Sequence, residues 1–558
     1  MRKKLMSIFL SFIFSILPFQ AMSHGDKSPD IYIINANIYT ADDHNPRAET
    51  VYISKGKISY VGPFSEDFKN HAEEIIDLKG ATLLPGLTDA HVHLKGIGYR
   101  EKMLNLQNID SLAETIAKVK DYVKTTAPGK WVRGRGWIEK VWPEKRFPNR
   151  QDIDPFTADR PVVLGRADGH AVLVNSYALK LAGIDRNTPD PDGGAIRKDK
   201  HGEPTGILVD KAMGLVYKLL PANSPKSDKH ALQLALERNV RLGWTQTQNA
   251  GGSYEDIKLL KELKDEGKLS HRLYYALSDG EPARQILAKG IEEDHDHMLK
   301  VGGIKLYADG ALGSRGAALM EKYSDYDTKG LLLTSREKAL PIMTEALKKG
   351  VQIEMHAIGD RANKLVLDWY EEAQKAVPEE ERKVKNPRWR IEHAQIIQPE
   401  DQQRYKKLGI IPSMQPSHAI GDFHFAPSRL GKDRLANAYV WANMIKLGMM
   451  PPAGSDAPVE IGDPRIEFYA AVARKDLNGF SNEDWHAEQA VSREDALKML
   501  TLWPAYAVFQ EDVRGSIQVG KLADFTIFDK DLMSIPEDQI MSSEVIMTIV
   551  GGKVVYKK

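Results

Sequence analysis

His91 and His93 stand two residues apart in Pro85-Gly86-Leu87-Thr88-Asp89-Ala90-His91-Val92-His93. On a strand, that spacing puts both imidazoles on one face. Imidazole suits zinc, iron, nickel or manganese. A His-x-His pair alone is weak, and the chain carries its own control. His295 and His297 share the spacing but lie in Glu292-Glu293-Asp294-His295-Asp296-His297, an acidic stretch that reads as solvated surface. What sets His91 and His93 apart is their company. His356 (in Glu354-Met355-His356-Ala357), His393 (in Arg390-Ile391-Glu392-His393) and Asp456 (in Ala453-Gly454-Ser455-Asp456) each sit just past a strand-like run.

Lys305, in Gly303-Ile304-Lys305-Leu306-Tyr307, lies in another such run. A protonated ammonium cannot ligate a metal. Carboxylated by carbon dioxide, it becomes an anionic carbamate able to bridge two ions. The alternative is a lysine that pairs with a carboxylate or contacts substrate. The chain has no cysteine. That excludes thiolate metal sites, a cysteine nucleophile and lipid attachment at an N-terminal cysteine. Any metal must be held by histidine, carboxylate or a modified side chain.

These residues need a scaffold that brings strand ends together. Short apolar runs alternate with helix-like segments through the middle of the chain, the pattern of a parallel α/β barrel. The expected barrel strands are Ala81–Asp89, Trp244–Asn249, Arg272–Leu277, Ile304–Ala308, Val351–Met355, Arg388–Glu392, Ile410–Met414 and Met449–Gly454. In such a barrel the C-terminal strand ends converge at one mouth. A helix starts near Ser492, with Asp495 as capping partner and an apolar face of Leu497, Leu500, Thr501, Trp503 and Ala507. A large insertion, about residues 97–240, follows the first strand and contains one further strand-like run, Pro161–Gly165. Both ends of the chain are β-rich. Gly56-Lys57 and Gly551-Gly552 read as hairpin turns. The expected organisation is a leader at 1–23, part of a small β-sandwich at 24–80, the barrel at 81–508, and the rest of the sandwich at 509–558.

The segments Leu84–His93, Trp131–Pro143, Asp168-Gly169-His170, Lys305–Arg315, His356–Ala362, Ile391–Gln395, Ser455–Val459 and Gly515–Phe528 together resemble amidohydrolase family 3 of the amidohydrolase superfamily, the branch similar to N-substituted formamide deformylase. The resemblance covers nearly the whole mature chain. It implies a distorted TIM barrel with a flanking β-sandwich. It also implies that His91 and His93 bind the more buried metal, Lys305 bridges, His356 and His393 bind a second metal, and Asp456 binds metal and acts as base. The expected cofactor is a divalent metal, zinc first, as one ion or two.

The chemistry that follows is hydrolysis of a carbon–nitrogen amide bond in a small molecule. A divalent metal lowers the pKa of water toward neutrality, and Asp456 can take the proton and pass it to the leaving group. No Gly-x-Ser-x-Gly elbow is present. The same hardware serves a cyclic amide, an ester or lactone, or a dipeptide. A metal- or solute-binding protein without turnover is a further reading, against which the aspartate base counts. Candidate substrate contacts are Asp168 and His170 in the insertion, Asp309 and Arg315 after the fourth strand, and His418 after the seventh. Arg315 could meet a substrate carboxylate or close a structural ion pair. Trp131, Trp137 and Trp142 either wall the site or fill core.

Lys+Arg and Asp+Glu both number 77, so charge gives no reason to expect a nucleic-acid partner. Arg2, Lys3 and Lys4 precede an apolar run from Leu5 to Phe19, and Ala21-Met22-Ser23 offers small residues for cleavage. This predicts an exported protein, periplasmic or secreted, with no stable membrane insertion after cleavage. Its oligomeric state is not legible.

Overall fold

The computed structural model describes residues 29–558 except 108, 140, 141, 145, 167–170, 192 and 193. The leader expected at 1–23 lies outside them. Among the described residues, seven parallel strands follow one another round a barrel in chain order. They are β1 (Leu87–Val92), β2 (Trp244–Ala250), β3 (Arg272–Ser278), β4 (Leu299–Tyr307), β5 (Gln352–Ala357), β6 (Arg390–His393) and β7 (Ile411–Ser413). Amphipathic helices such as Pro225–Arg241 and Asp360–Ala376 bury Leu232, Leu236, Val366 and Leu367 against the outside of these strands. The barrel interior beneath the mouth is polar instead. Arg390 donates to Gln248 at 2.6 Å, and Arg514 donates to Gln246 at 2.7 Å, all four side chains buried.

The eighth strand expected at Met449–Gly454 does not form as a regular strand. Pro451 and Pro452 have no N–H to give a ladder. The ring closes through single bonds instead: Met414 N–H donates to Pro452 O at 3.0 Å, Ala90 N–H to Ala453 O at 3.0 Å, and Asp456 N–H to His91 O at 2.7 Å. The expected first strand is also corrected. Ala81–Asp89 is not one strand, because it breaks at Gly86. Thr82–Pro85 pairs with Phe525–Phe528 and Asn37–Tyr39 in the sandwich, and only Leu87 onward enters the barrel. A Cβ on Gly86 would stand 2.2 Å from Thr245 Oγ1, so the chain can cross between the two sheets only without a side chain there.

The sandwich has one sheet from the N-terminal segment (Lys57–Gly62, Thr50–Ser54, Ile31–Ile34 and Glu74–Asp77) and one that mixes both ends of the chain. The mixed sheet runs Lys553–Lys557, Val545–Val550, Phe525–Phe528, Thr82–Pro85, Asn37–Tyr39 and Arg47–Ala48. Ile33, Ile53, Leu83, Phe525 and Ile549 fill the space between them. Both expected hairpins form, the second at Gly551 and Gly552 (φ 56° and 75°) and the first at Lys55 and Gly56 (φ 53° and 73°), one residue earlier than the expected Gly56-Lys57.

The insertion is far more ordered than the single strand expected in it. A six-stranded sheet runs Gly194–Lys198, Pro204–Asp210, Ala171–Val174, Val162–Arg166, Val132–Trp137 and Leu104–Asn105 among the described residues. Separate apolar clusters include Trp137 with Leu164 and Val172 with Leu208. Trp137 and Trp142 are fully buried, their indole N–H groups donating to Leu164 O and Ile109 O, so both are core. The helix expected from Ser492 begins there, capped by Ser492 Oγ, but ends at Met499. A second helix, Leu502–Ala507, carries the rest of the predicted face. No helix among the described residues is long and apolar enough to cross a membrane.

Candidate metal centre

β1, β4, β5, β6 and the closing segment each deliver a ligand-type side chain to the same mouth. His91 and His93 have ring centroids 5.7 Å apart, His91 and His393 5.1 Å, and His356 and His393 4.4 Å. Asp456 Oδ1 lies 3.1 Å from His93 Nε2 and 3.5 Å from His91 Nε2. Lys305 Nζ is fully buried and 3.4 Å from His91 Nε2. The six residues read from the sequence therefore form one cluster. Single ligand atoms of His91, His393 and Asp456 all fall within 4.8 Å of one another.

Backbone geometry explains how adjacent residues serve the same site. Successive side chains on a strand point to opposite faces. Glu392 nevertheless reaches His91 while His393, the next residue, joins the cluster. His393 has φ 72° and Ala394 φ 43°, so the strand ends in a left-handed turn. Asp456 is also left-handed, at φ 57°. Non-glycine residues pay about 1–3 kcal/mol for such conformations, which persist where the surroundings enforce them.

Electrostatics favour lone pairs over protons. Burial lowers His91 to about 4, with Lys305 adding to the effect. Burial and Lys305 together bring His356 to about 3. Burial, then His356 beside it, holds His393 well below the ordinary value. Burial alone would raise Asp456, but His93 at 3.1 Å and the neighbouring histidines hold it well below the usual carboxylate range. Lys305 is lowered by burial, against the pull of Glu392 and Asp456. The result is neutral imidazoles around an ionised carboxylate, the donor set a divalent cation needs.

The donor atoms fit such an ion. Among the described residues, His356 Nε2, His393 Nδ1, His418 Nε2 and Asp456 Oδ1 are buried without a hydrogen-bond partner. Buried polar atoms are otherwise almost always paired. The orphans on His356, His393 and Asp456 mark a place where a cation would satisfy them, and His418 Nε2 stands beside them at the same mouth.

The second group of candidates divides. His418 is in the cluster, its Nε2 3.6 Å from Asp456 Oδ2 and its ring stacked on His393. Asp309 is not free to touch substrate. It is fully buried, and its oxygens accept from the backbone N–H groups of Ala318, Ile358 and Gly359 at 2.8–3.0 Å. It reaches the centre only through His356, 3.4 Å away. Arg315 is committed to Asp325 at 3.1 and 2.9 Å, which makes it the structural ion pair rather than a carboxylate receptor. Asp168 and His170 lie outside the described residues. The His295/His297 pair sits before the start of β4, at the opposite end of the barrel, with His297 bonded to Glu293 at 2.8 Å. Sequence reasoning passes over Glu392, whose Oε2 lies 2.5 Å from His91 Nδ1. Its signal was the Arg390-x-Glu392 spacing, two charges on one face of a barrel strand.

A cavity of about 390 Å³ opens beside His93, lined by Lys95, Asn249, Gly251, Tyr275 and Ser278. Lys95 is tied to Asp256 at 2.6 Å.

A barrel with ligand-type residues at the C-terminal ends of its strands defines the class of metal-dependent TIM-barrel hydrolases. Comparison with known proteins gives the family. Residues 74–556 match the amidohydrolase family, and the chain belongs to it. It is similar to the Bacillus subtilis (strain 168) protein YtcJ, 34% identical over 93% of this chain and 98% of that one. It is 28% identical to N-substituted formamide deformylase of Arthrobacter pascens, over 95% and 98%. Among solved structures it resembles an uncharacterized metal-dependent hydrolase from Pyrococcus horikoshii OT3, with TM-score 0.74, 28% identity and coverage of 91% and 99%. The chain is a metal-dependent hydrolase of carbon–nitrogen bonds.

Proposed function

We propose that this hydrolase cleaves a non-peptide amide bond of a small molecule, with Asp456 as the general base. His91, His93, Lys305, His356, His393 and Asp456 hold the metal, zinc being the first ion to test, as one ion or a pair. The observation that carries the reading is the set of buried, unpartnered donor atoms around the ionised Asp456. Bound there, a divalent cation supplies a water of lowered pKa and polarises the scissile carbonyl. Asp456 accepts a proton from the attacking water and returns it to the leaving nitrogen. His418, beside Asp456, is placed to donate to the carbonyl oxygen as charge develops. With two ions, a carboxylated Lys305 would help hold them, and burial of Lys305 favours the neutral amine that attacks carbon dioxide. The cavity beside His93 is of small-molecule size, near the lower end of the range of roughly 300–1,000 Å³ for such pockets.

The test is Asp456→Asn with metal content measured alongside hydrolysis of an amide, ester and lactone panel, starting from N-substituted formamides. Loss of activity by about 10²- to 10⁴-fold with metal largely retained supports the assignment. Wild-type protein that hydrolyses nothing on the panel at any metal loading overturns it.

A further inference from the structure

Glu392 is buried in the barrel core, and Oε2 meets His91 Nδ1 at 2.5 Å. We infer that Glu392 is the positioning residue that fixes His91 as the Nδ1–H imidazole, with its Nε2 lone pair turned to the metal cluster; this rests on the metal-centre reading above. An ionised carboxylate only accepts, so the shared proton sits on His91 Nδ1. The opposite nitrogen, Nε2, is the one 3.5 Å from Asp456 Oδ1 and 3.4 Å from Lys305 Nζ.

The carboxylate is held in turn. Glu392 Oε1 lies 3.1 Å from Arg390 Nε, an ion pair whose angle falls short of a hydrogen bond. Arg390 is itself fixed by Glu354 and by Gln248 at 2.6 Å. Two carboxylates thus flank one guanidinium, which holds Glu392 against His91. The Glu392 contact orients the His91 ring through Nδ1 and leaves Nε2 on the side of the cluster. Partners of this kind change metal affinity or activity by about 10- to 100-fold when removed.

The experiment compares the full-length wild type with Glu392→Gln and Glu392→Asp. Zinc affinity is measured by chelator competition, and the site is read by the visible spectrum of the cobalt(II)-loaded protein. Glu392→Gln leaves Arg390 paired with Glu354, so no buried guanidinium is stranded. The expected result is zinc binding weakened about 10- to 100-fold with an altered cobalt spectrum, partly restored in Glu392→Asp. Wild-type affinity and spectrum in Glu392→Gln overturn the inference and leave the metal centre standing. Wild-type protein that binds no zinc or cobalt overturns both. If Glu392→Gln fails to fold, ¹⁵N-histidine spectra of the metal-free wild type decide. A strongly hydrogen-bonded imidazole Nδ1–H supports the inference, and an Nε2–H tautomer at His91 sinks it.

Discussion

Asp89 grips Ser455 with both carboxylate oxygens, accepting from Ser455 N–H at 2.8 Å and from Ser455 Oγ at 2.5 Å. The two residues lie in β1 and in the irregular segment that closes the barrel, so one buried side chain joins the seam next to Asp456. Asp456 sits at φ 57°, a conformation its neighbours must enforce. Asp89→Asn is expected to cost about 1–3 kcal/mol, because a buried hydrogen-bonding group is left mismatched. Metal affinity should fall with it. Chemical denaturation and a zinc titration check this; a destabilised variant with wild-type zinc affinity would show that the seam does not place Asp456.

Arg272 on β3 and Asp524 at the start of the sandwich strand form a buried bidentate pair at 2.7 and 3.0 Å. Burial alone would raise Asp524, but Arg272 and Arg514 outweigh it and the carboxyl is lowered. A folded pKa below the unfolded value of about 3.9 means the contribution is complete above that pH. It is lost as pH falls through the folded value. Asp524→Asn is expected to lose roughly 3–5 kcal/mol at neutral pH, since Arg272 is left buried and unpaired. The gap from wild type should narrow below about pH 4. Denaturation at pH 7 and in acid measures it, and a gap of constant size would refute the linkage.

Arg315 shares Asp325 with Arg429, which ties the loop after β4 to the helix Ala426–Leu430. Arg315→Ala should therefore lower stability only slightly, as loss of a solvent-screened pair does. It should leave the ratio of kcat/KM for acidic and neutral amides unchanged. Had Arg315 bound a substrate carboxylate, acidic substrates would lose about tenfold or more. Paired substrates differing only in that carboxylate separate the two roles.

The candidate metal cluster is legible because its members obey local rules. His91 and His93 follow the two-residue period, and His356, His393 and Asp456 end runs that read as strands. The left-handed turn at His393 was not legible, because no glycine marks it and tertiary contacts impose it. The eighth barrel position was misread for a related reason: Met449–Gly454 is apolar enough for a strand, but two prolines remove its ladder donors. The insertion hid its sheet because strands such as Val132–Trp137 (Val-Arg-Gly-Arg-Gly-Trp) mix glycine and arginine into the pattern. Arg315 and Asp309 looked like substrate contacts by position alone. Their partners, Asp325 and three backbone N–H groups, come from turns whose course spacing does not reveal.

The mixed sheet of the sandwich also governs the order in which the chain can finish folding. Thr82–Pro85 takes one neighbour, Asn37–Tyr39, from its own end of the chain, but its other neighbour is Phe525–Phe528. On a ribosome, that second edge stays bare until more than four hundred further residues have been made. An exposed strand edge is a template for wrong pairing, and contacts this distant in sequence close slowly. The last strands of the protein are thus a late-arriving cover for one of its first. A chain truncated before Phe525 would be left with an open β-edge next to its barrel.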